Sequence, residues 1–343
     1  MFGNFALGLL CGIFAGLVNG IFLLPMRYLR KWAWENLWLF FTLFSTAMLP
    51  CLFAKLAVPH LSTILRQSPL SFFLPGLIAG CLWGVAQVMY GLGVGMLGVA
   101  VGSAVLSTTS TISGVLGPII VYAPGRLFSK ESLPLFGALL LIISGIYQYA
   151  KAGARKEKEL GGEEKQIVRG KFRTGFVICL VSGVIGTAFI YGGKSSTGLI
   201  DAAKAAGASP LVAFYVAYMI TFNAGMIPGL AYSIYKLKTN HTTERFLARG
   251  CFFWNLGLAF VMALLWYSGI LMYGMSSEKM GRLGPSIAFV LFGGGTILFA
   301  NLFGWLAGEW KGASRSTVRG FLIGMGLLVS AIVLVAFGMP SLP

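Results

Sequence analysis

Ten apolar runs, each close to the length a helix needs to cross a bilayer, alternate along the chain with short polar connections, and this leaves very few folds open. A transmembrane helix takes about 20 mostly apolar residues. On that criterion the spans fall at 5–26, 37–56, 70–91, 97–122, 133–150, 175–193, 210–235, 251–274, 285–308 and 320–338. Composition agrees: the 343 residues are 57% hydrophobic and 10% charged, where soluble domains carry roughly 25% charged residues. The mean hydropathy is +0.83. The expected fold class is an all-α integral membrane protein of ten transmembrane helices. The first run has no basic residue ahead of it and exceeds the usual signal-peptide core, so it is read as a span.

The net charge of +16 is read first as topology. Connections after helices one, three, five, seven and nine hold 18 Lys and Arg, and the alternate set holds 8. Basic residues stay in the cytoplasm. The expectation is a multi-pass protein of the inner cell membrane with both termini outside, whose basic excess requires no nucleic-acid partner. The only substantial polar segment, 151–174, carries mixed charges and reads as a cytoplasmic linker. Five cysteines, Cys11, Cys51, Cys81, Cys179 and Cys251, sit in apolar runs without metal or redox spacing and read as packing residues.

An internal repeat is visible in two registers. Shifting by 167 residues superposes 8–27 on 175–194 and matches Gly8 with Gly175, Gly16 with Gly183 and Phe22 with Phe189. Shifting by 183 matches Trp83, Met89, Tyr90, Gly91 and Gly98 with Trp266, Met272, Tyr273, Gly274 and Gly281. The halves are 1–150 and 175–343, joined by 151–174. Five spans per half is an odd number, so the halves enter the membrane in opposite senses. Such an inverted-topology repeat is the usual frame for alternating access.

Polar side chains inside hydrocarbon tend to face a cavity or one another. In helix four, Ser103, Ser107, Ser110 or Thr111, and Gly114 share one face. They form either a polar cavity wall or a packing surface whose hydroxyls return to the carbonyl four residues back. Five amides, Asn19, Gln87, Asn223, Asn255 and Asn301, also sit within spans. Gln87 and Tyr90 share a face beside Trp83, and Trp266 and Tyr273 hold the corresponding repeat positions. An amide, a phenol and an indole suit a sugar, which offers hydroxyls at its rim and an apolar C–H face. Interhelical bonding and core packing explain the same residues. Candidate substrate contacts are thus Asn19, Gln87, Tyr90, Ser107, Thr111, Asn255, Trp266 and Tyr273. Trp32, Trp34, Trp38, Trp305 and Trp310 read as interface-belt residues. Gly293-Gly294-Gly295 either unwinds helix nine or lets a neighbour approach.

All ten acids and both histidines fall in connections or at span ends. No paired carboxylates, metal-ligand cluster or nucleophile with its base is apparent. The chain therefore reads as a carrier with no cofactor and no metal, rather than a membrane-embedded enzyme.

Four segments, KWAWEN (31–36), LPGLIAGCLWG to YGLGVGMLGVAVG (74–102), GGKSS to AAGASPL (192–211) and GEWKGAS (308–314), resemble the L-rhamnose/proton symporter family of the drug/metabolite transporter superfamily. The resemblance covers most of the chain. It implies a ten-helix inverted-repeat carrier importing a deoxy-sugar with a proton as co-substrate, with Gln87, Tyr90 and Lys194 as sugar contacts. The chain departs from the family pattern at Gln87 and Met89, where an Asn is expected in helix three, and at Gly284-Pro285, where an acid is expected. A carrier or exporter of another polar metabolite, without proton coupling, is the alternative.

Overall fold

The computed structural model describes residues 2–97, 99–160, 169–248 and 250–338. Gly98, the middle of the connecting segment with Glu163 and Glu164, and Arg249 lie outside the described residues. Among the described residues the chain is helical, without strands. Its long segments are α1 (Phe2–Ile21), α2 (Trp34–Ala57), α3 (Leu70–Leu97), α4 (Val99–Tyr122), α5 (Leu133–Glu159), α6 (Phe172–Ala205), α7 (Tyr215–Thr239), α8 (Phe252–Lys279), α9 (Gly281–Leu306) and α10 (Arg315–Gly338).

Among the described residues nine segments are long and apolar enough to cross a membrane, and α7 is not one of them. Its 25 residues suffice in length. Thr221, Asn223, Pro228 and its tyrosines lower its hydropathy, and it can carry them because protein covers it: Tyr215, Tyr218, Thr221 and Phe222 are all buried. A helix sheathed by neighbours needs less apolar surface than one facing lipid.

Two boundaries differ from the sequence expectation. Helix α5 continues through the charged run to Glu159, in Lys, Glu and Ala residues that favour helix. Helix α6 is interrupted at 186–187 and at Ser196. The triglycine stays helical, with one wide π-type turn at Val290–Gly294. Its role is close approach: a Cβ on Gly16 of α1 would lie 2.7 Å from the Gly295 Cα.

The chain divides into two compact units, each drawing on both halves of the sequence. The first comprises Met1–Ile21, Met89–Thr187 and Met272–Pro343. In it α1 packs on α9 through Gly16 and Gly295, and α4 meets α6 where Thr109 occupies the space beside Gly183. The second comprises Phe22–Val88 and Ala188–Leu271. There α7 is embraced by glycines: Gly80 of α3 abuts the Thr221 carbonyl, Gly84 lies on Gly225, and Gly193 of α6 seats the Tyr218 ring. Small residues replace the hydrophobic drive that is missing between helices in lipid.

Two of the expected belt tryptophans are core residues. Trp32 is buried among Phe40, Phe246 and Phe252, and Trp310 is buried with its ring 4.2 Å from that of Phe321. Trp34 and Trp305 are exposed.

Candidate substrate site

The five amides singled out in the sequence separate cleanly by what they bond. Asn19 donates to the Thr296 hydroxyl at 2.9 Å. Asn223 donates to the Met219 carbonyl one turn back at 2.7 Å, and Asn301 to the Ile297 carbonyl at 2.8 Å. Asn255 is fully buried and clamps the backbone of Arg30, accepting its N–H at 3.1 Å and donating to its carbonyl at 2.7 Å. Gln87 alone has no hydrogen-bond partner among the described residues, and it is exposed.

The position of Gln87 on its helix shows what that exposure means. Gly76, Gly80, Gly84 and Gln87 follow one another at helical spacing along one face of α3. The glycines on that face are pressed against α7. Gln87 is the next turn, where the cover ends. Its amide therefore projects from the face that packs inside the second unit, away from the lipid stripe of Leu74, Ile78, Leu82 and Val85.

One turn before Gln87 stands Trp83, 8% exposed, with its ring 5.5 Å from Trp266 of α8. Both indoles pack edge-on against the fully buried Phe222 of α7, at 5.2 and 5.3 Å. Phe41 borders Trp266 at 6.3 Å. Trp266 remains partly open. The two tryptophans thus meet as a pair, which sequence spacing alone did not bring together, beside an amide with all its hydrogen-bonding capacity unused.

The other expected contacts are more occupied. In the first unit, the Tyr90 hydroxyl lies 3.3 Å from that of Ser103. Thr111 is buried and donates to the Ser107 carbonyl at 2.7 Å, and Ser110 reaches the same carbonyl at 3.2 Å. The Phe289 ring fills the space beside Gly114, so the lower part of this α4 face packs against protein. Tyr273 is 1% exposed and donates to the Pro285 carbonyl at 3.3 Å, between Phe289 and Phe292. The carbonyl oxygen of Asn19 is buried with no donor. In the second unit, Lys194 is half-buried near the end of the Ala188–Ser195 segment.

From the sequence, Glu35 is a near-membrane acid that could exchange a proton or sit in a surface ion pair. The structure buries it, with its Oε1 accepting from Asn240 at 3.0 Å and Thr242 at 2.7 Å, and with Arg245 as the cation acting on it. Asn36 donates to the Thr242 carbonyl at 2.9 Å. Glu35 and Asn36 together staple the turn after α7 to the start of α2. The signal was present in the two adjacent polar residues inside KWAWEN, but its partner lies some two hundred residues away.

Membrane-length helices close-packed through glycine define a polytopic membrane protein, and among the described residues an amide without a protein partner lies next to the paired indoles. The chain belongs to the L-rhamnose-proton symport protein (RhaT) family, whose model matches residues 1–341. It is 24% identical over 341 residues to a protein of Escherichia coli named L-rhamnose-proton symporter, covering 96% of this chain and 98% of that one. Proteins of the same name from Shigella boydii and Salmonella paratyphi A match with the same identity and coverage.

Proposed function

We propose that the protein is a secondary carrier that moves L-rhamnose, or a monosaccharide closely like it, across the inner cell membrane together with a proton. The observation that carries this reading is family membership over nearly the whole chain, with relatives named for that transport. Uptake of labelled rhamnose into proteoliposomes tests it. Accumulation driven by an inward proton gradient is expected; no uptake with or without the gradient refutes the sugar, and uptake indifferent to the gradient refutes the symport.

Gln87 is the hydrogen-bonding contact in this reading, and the Trp83–Trp266 pair is the apolar wall for the C–H face of the ring. The free amide and the partly open indole support that assignment. Tyr90 lies on the same side of α3, three residues on.

The carrier works by alternating access, with ten spans arranged as inverted repeats 1–150 and 175–343 about the linker 151–174, as in the drug/metabolite transporter superfamily. The division into compact units supports the repeat: it falls after residues 88 and 271, which are 183 apart, the register already read from Trp83/Trp266 and Tyr90/Tyr273. Its other two boundaries follow residues 21 and 187, which are 166 apart. The basic excess in alternate connections supports an orientation with both termini outside. A reporter fused at the C-terminus that reads as cytoplasmic refutes that orientation.

A further inference from the structure

Helices α5 and α10, both in the first unit, meet at Gly145 and Gly324, where an added Cβ on either would lie 3.2 or 3.3 Å from the other's carbonyl oxygen. Beyond that contact, toward the charged end of α5 and the start of α10, the pair opens around a cavity of about 170 Å³. It is lined by Gln148, Lys151 and Arg155 from α5 and by Ser316, Arg319 and Ile323 from α10.

Every polar side chain in that set can donate a hydrogen bond, and three of them carry full positive charge. None of the three cations forms an ion pair with a described carboxylate. Glu159, one turn on from Arg155, acts on it electrostatically, but its oxygens already accept from the Ser314 N–H at 2.7 Å, the Ser314 hydroxyl at 2.6 Å and the Thr317 hydroxyl at 2.7 Å. Those bonds tie the first turn of α10 to the end of α5, so the walls of the cavity are held together without any carboxylate entering it. Guanidinium forks, an ammonium and neutral donors converging on one small space match the oxygens of a phosphate group.

The rim shows what carries that phosphate. Ile323 closes the cavity on its membrane side and is 45% exposed. Below it the exposed faces continue in apolar residues, Leu140 and Tyr147 on α5 and Val329 and Val333 on α10. A ligand that sets its phosphate among the cations meets hydrocarbon-facing side chains immediately beneath, as an amphiphile requires. The location also lies on the face of the protein assigned above to the cytoplasm, where basic pockets between helices recruit acidic head groups.

We infer that this cavity binds the phosphate of an anionic phospholipid, with the acyl chains lying along α5 and α10. The site is independent of the transport reading, because all of its residues belong to the first unit, whereas Gln87, Trp83 and Trp266 belong to the second.

The test titrates the purified full-length chain, in neutral detergent, with phosphatidylglycerol, phosphatidylcholine or inorganic phosphate, read by native mass spectrometry and apparent melting temperature. The comparison protein is K151Q/R155Q/R319Q. Phosphatidylglycerol is expected to remain bound and to raise the melting temperature, with affinity falling about fivefold per removed cation and on the order of a hundredfold for all three. Rhamnose exchange in neutral-lipid vesicles is expected to match the parent. Equal retention of phosphatidylglycerol by parent and triple variant, or equal retention of the two lipids by the parent, overturns the site. A stabilisation by inorganic phosphate that equals that by phosphatidylglycerol overturns the lipid in favour of a soluble phosphate. All three side chains are exposed, and the single variants R155Q and R319Q give the same readout if the triple variant folds poorly.

Discussion

Asn255 and Gln87 carry the same chemical group, and the structure gives them opposite work, so exchanging each for alanine separates a structural amide from a substrate contact. Asn255→Ala removes two hydrogen bonds to the Arg30 backbone, at 3.1 and 2.7 Å, from a side chain with no exposed surface. At a net value near 1 kcal/mol for each bond, the loss is about 2 kcal/mol, with more if the Arg30 groups find no water. The segment it holds is the one also pinned by Trp254, whose Nε1 donates to the Tyr28 carbonyl at 3.0 Å while the Arg30 guanidinium lies 4.4 Å over its ring. Gln87→Ala removes an exposed side chain without a protein partner, and such changes usually stay within about 0.5 kcal/mol of the parent. If its amide holds the sugar by one net hydrogen bond, about 1 kcal/mol of binding goes with it, roughly a fivefold rise in the KM for uptake. The assay is paired: apparent melting temperature in detergent and concentration-dependent rhamnose uptake in proteoliposomes. Asn255→Ala should lower the melting temperature by several degrees and leave KM near that of the parent, whereas Gln87→Ala should do the reverse. A Gln87→Ala protein with unchanged KM, or an Asn255→Ala protein with unchanged stability and a raised KM, refutes the reasoning.

Three further outcomes follow from the packing. Glu35→Ala should destabilise the protein by at least about 2 kcal/mol, since it deletes two charge-assisted bonds from a buried carboxylate, and Asn36→Ala by about 1 kcal/mol; chemical denaturation in micelles measures both. Gly16→Val should cost about 1–3 kcal/mol or more, because its Cβ alone would come within 2.7–3.0 Å of the Gly295 and Leu291 backbone, and thermal unfolding of the purified variant reads the loss. Glu159→Gln weakens the cap on α10, so hydrogen exchange over 314–317 should speed up while exchange deep in α10 stays as in the parent.

Much of this fold was readable because lipid imposes its rule one segment at a time. A span is fixed by its own twenty residues, with no knowledge of its neighbours, and nine of the ten expected segments recur among the described residues as helices long and apolar enough to cross. The exception, α7, fails in the instructive direction. Its Tyr215, Tyr218 and Thr221 are polar enough to defeat a hydropathy criterion, yet all are buried, Tyr218 and Thr221 against glycines of α3 and α6 and Tyr215 beside Phe53 of α2, so the environment that licenses them lies in other segments. The same limit applies to the tryptophans. A belt assignment uses only nearness to a span end, which holds both for Trp34, which is exposed, and for Trp32, which Phe246 and Phe252 enclose from more than two hundred residues away.

For the site, the residue types were legible and their partners were not. An amide in a span announces that something must satisfy it, without saying whether that is a carbonyl four residues back, as at Asn301, a distant backbone, as at Asn255, or a substrate. Elimination needs coordinates: Asn19, Asn223, Asn255 and Asn301 each donate to a partner within the protein, and Gln87 is the one of the five that bonds nothing among the described residues. The tandem aromatic motif shows the complementary case. Trp83 and Trp266 correspond at a shift of 183 residues, and a correspondence of that kind says nothing about contact. Their rings meet because both helices lean on Phe222, which makes a single wall shared by two indoles. At the position after that wall the copies diverge: Gln87 is open and polar, while Ile270, 183 residues on, is buried and apolar. If a sugar is held here, only Gln87 of this pair can hydrogen-bond to it, and exchanging the two, Gln87→Ile with Ile270→Gln, should abolish rhamnose uptake rather than restore it, because the new amide would enter a packed core with no room to turn outward.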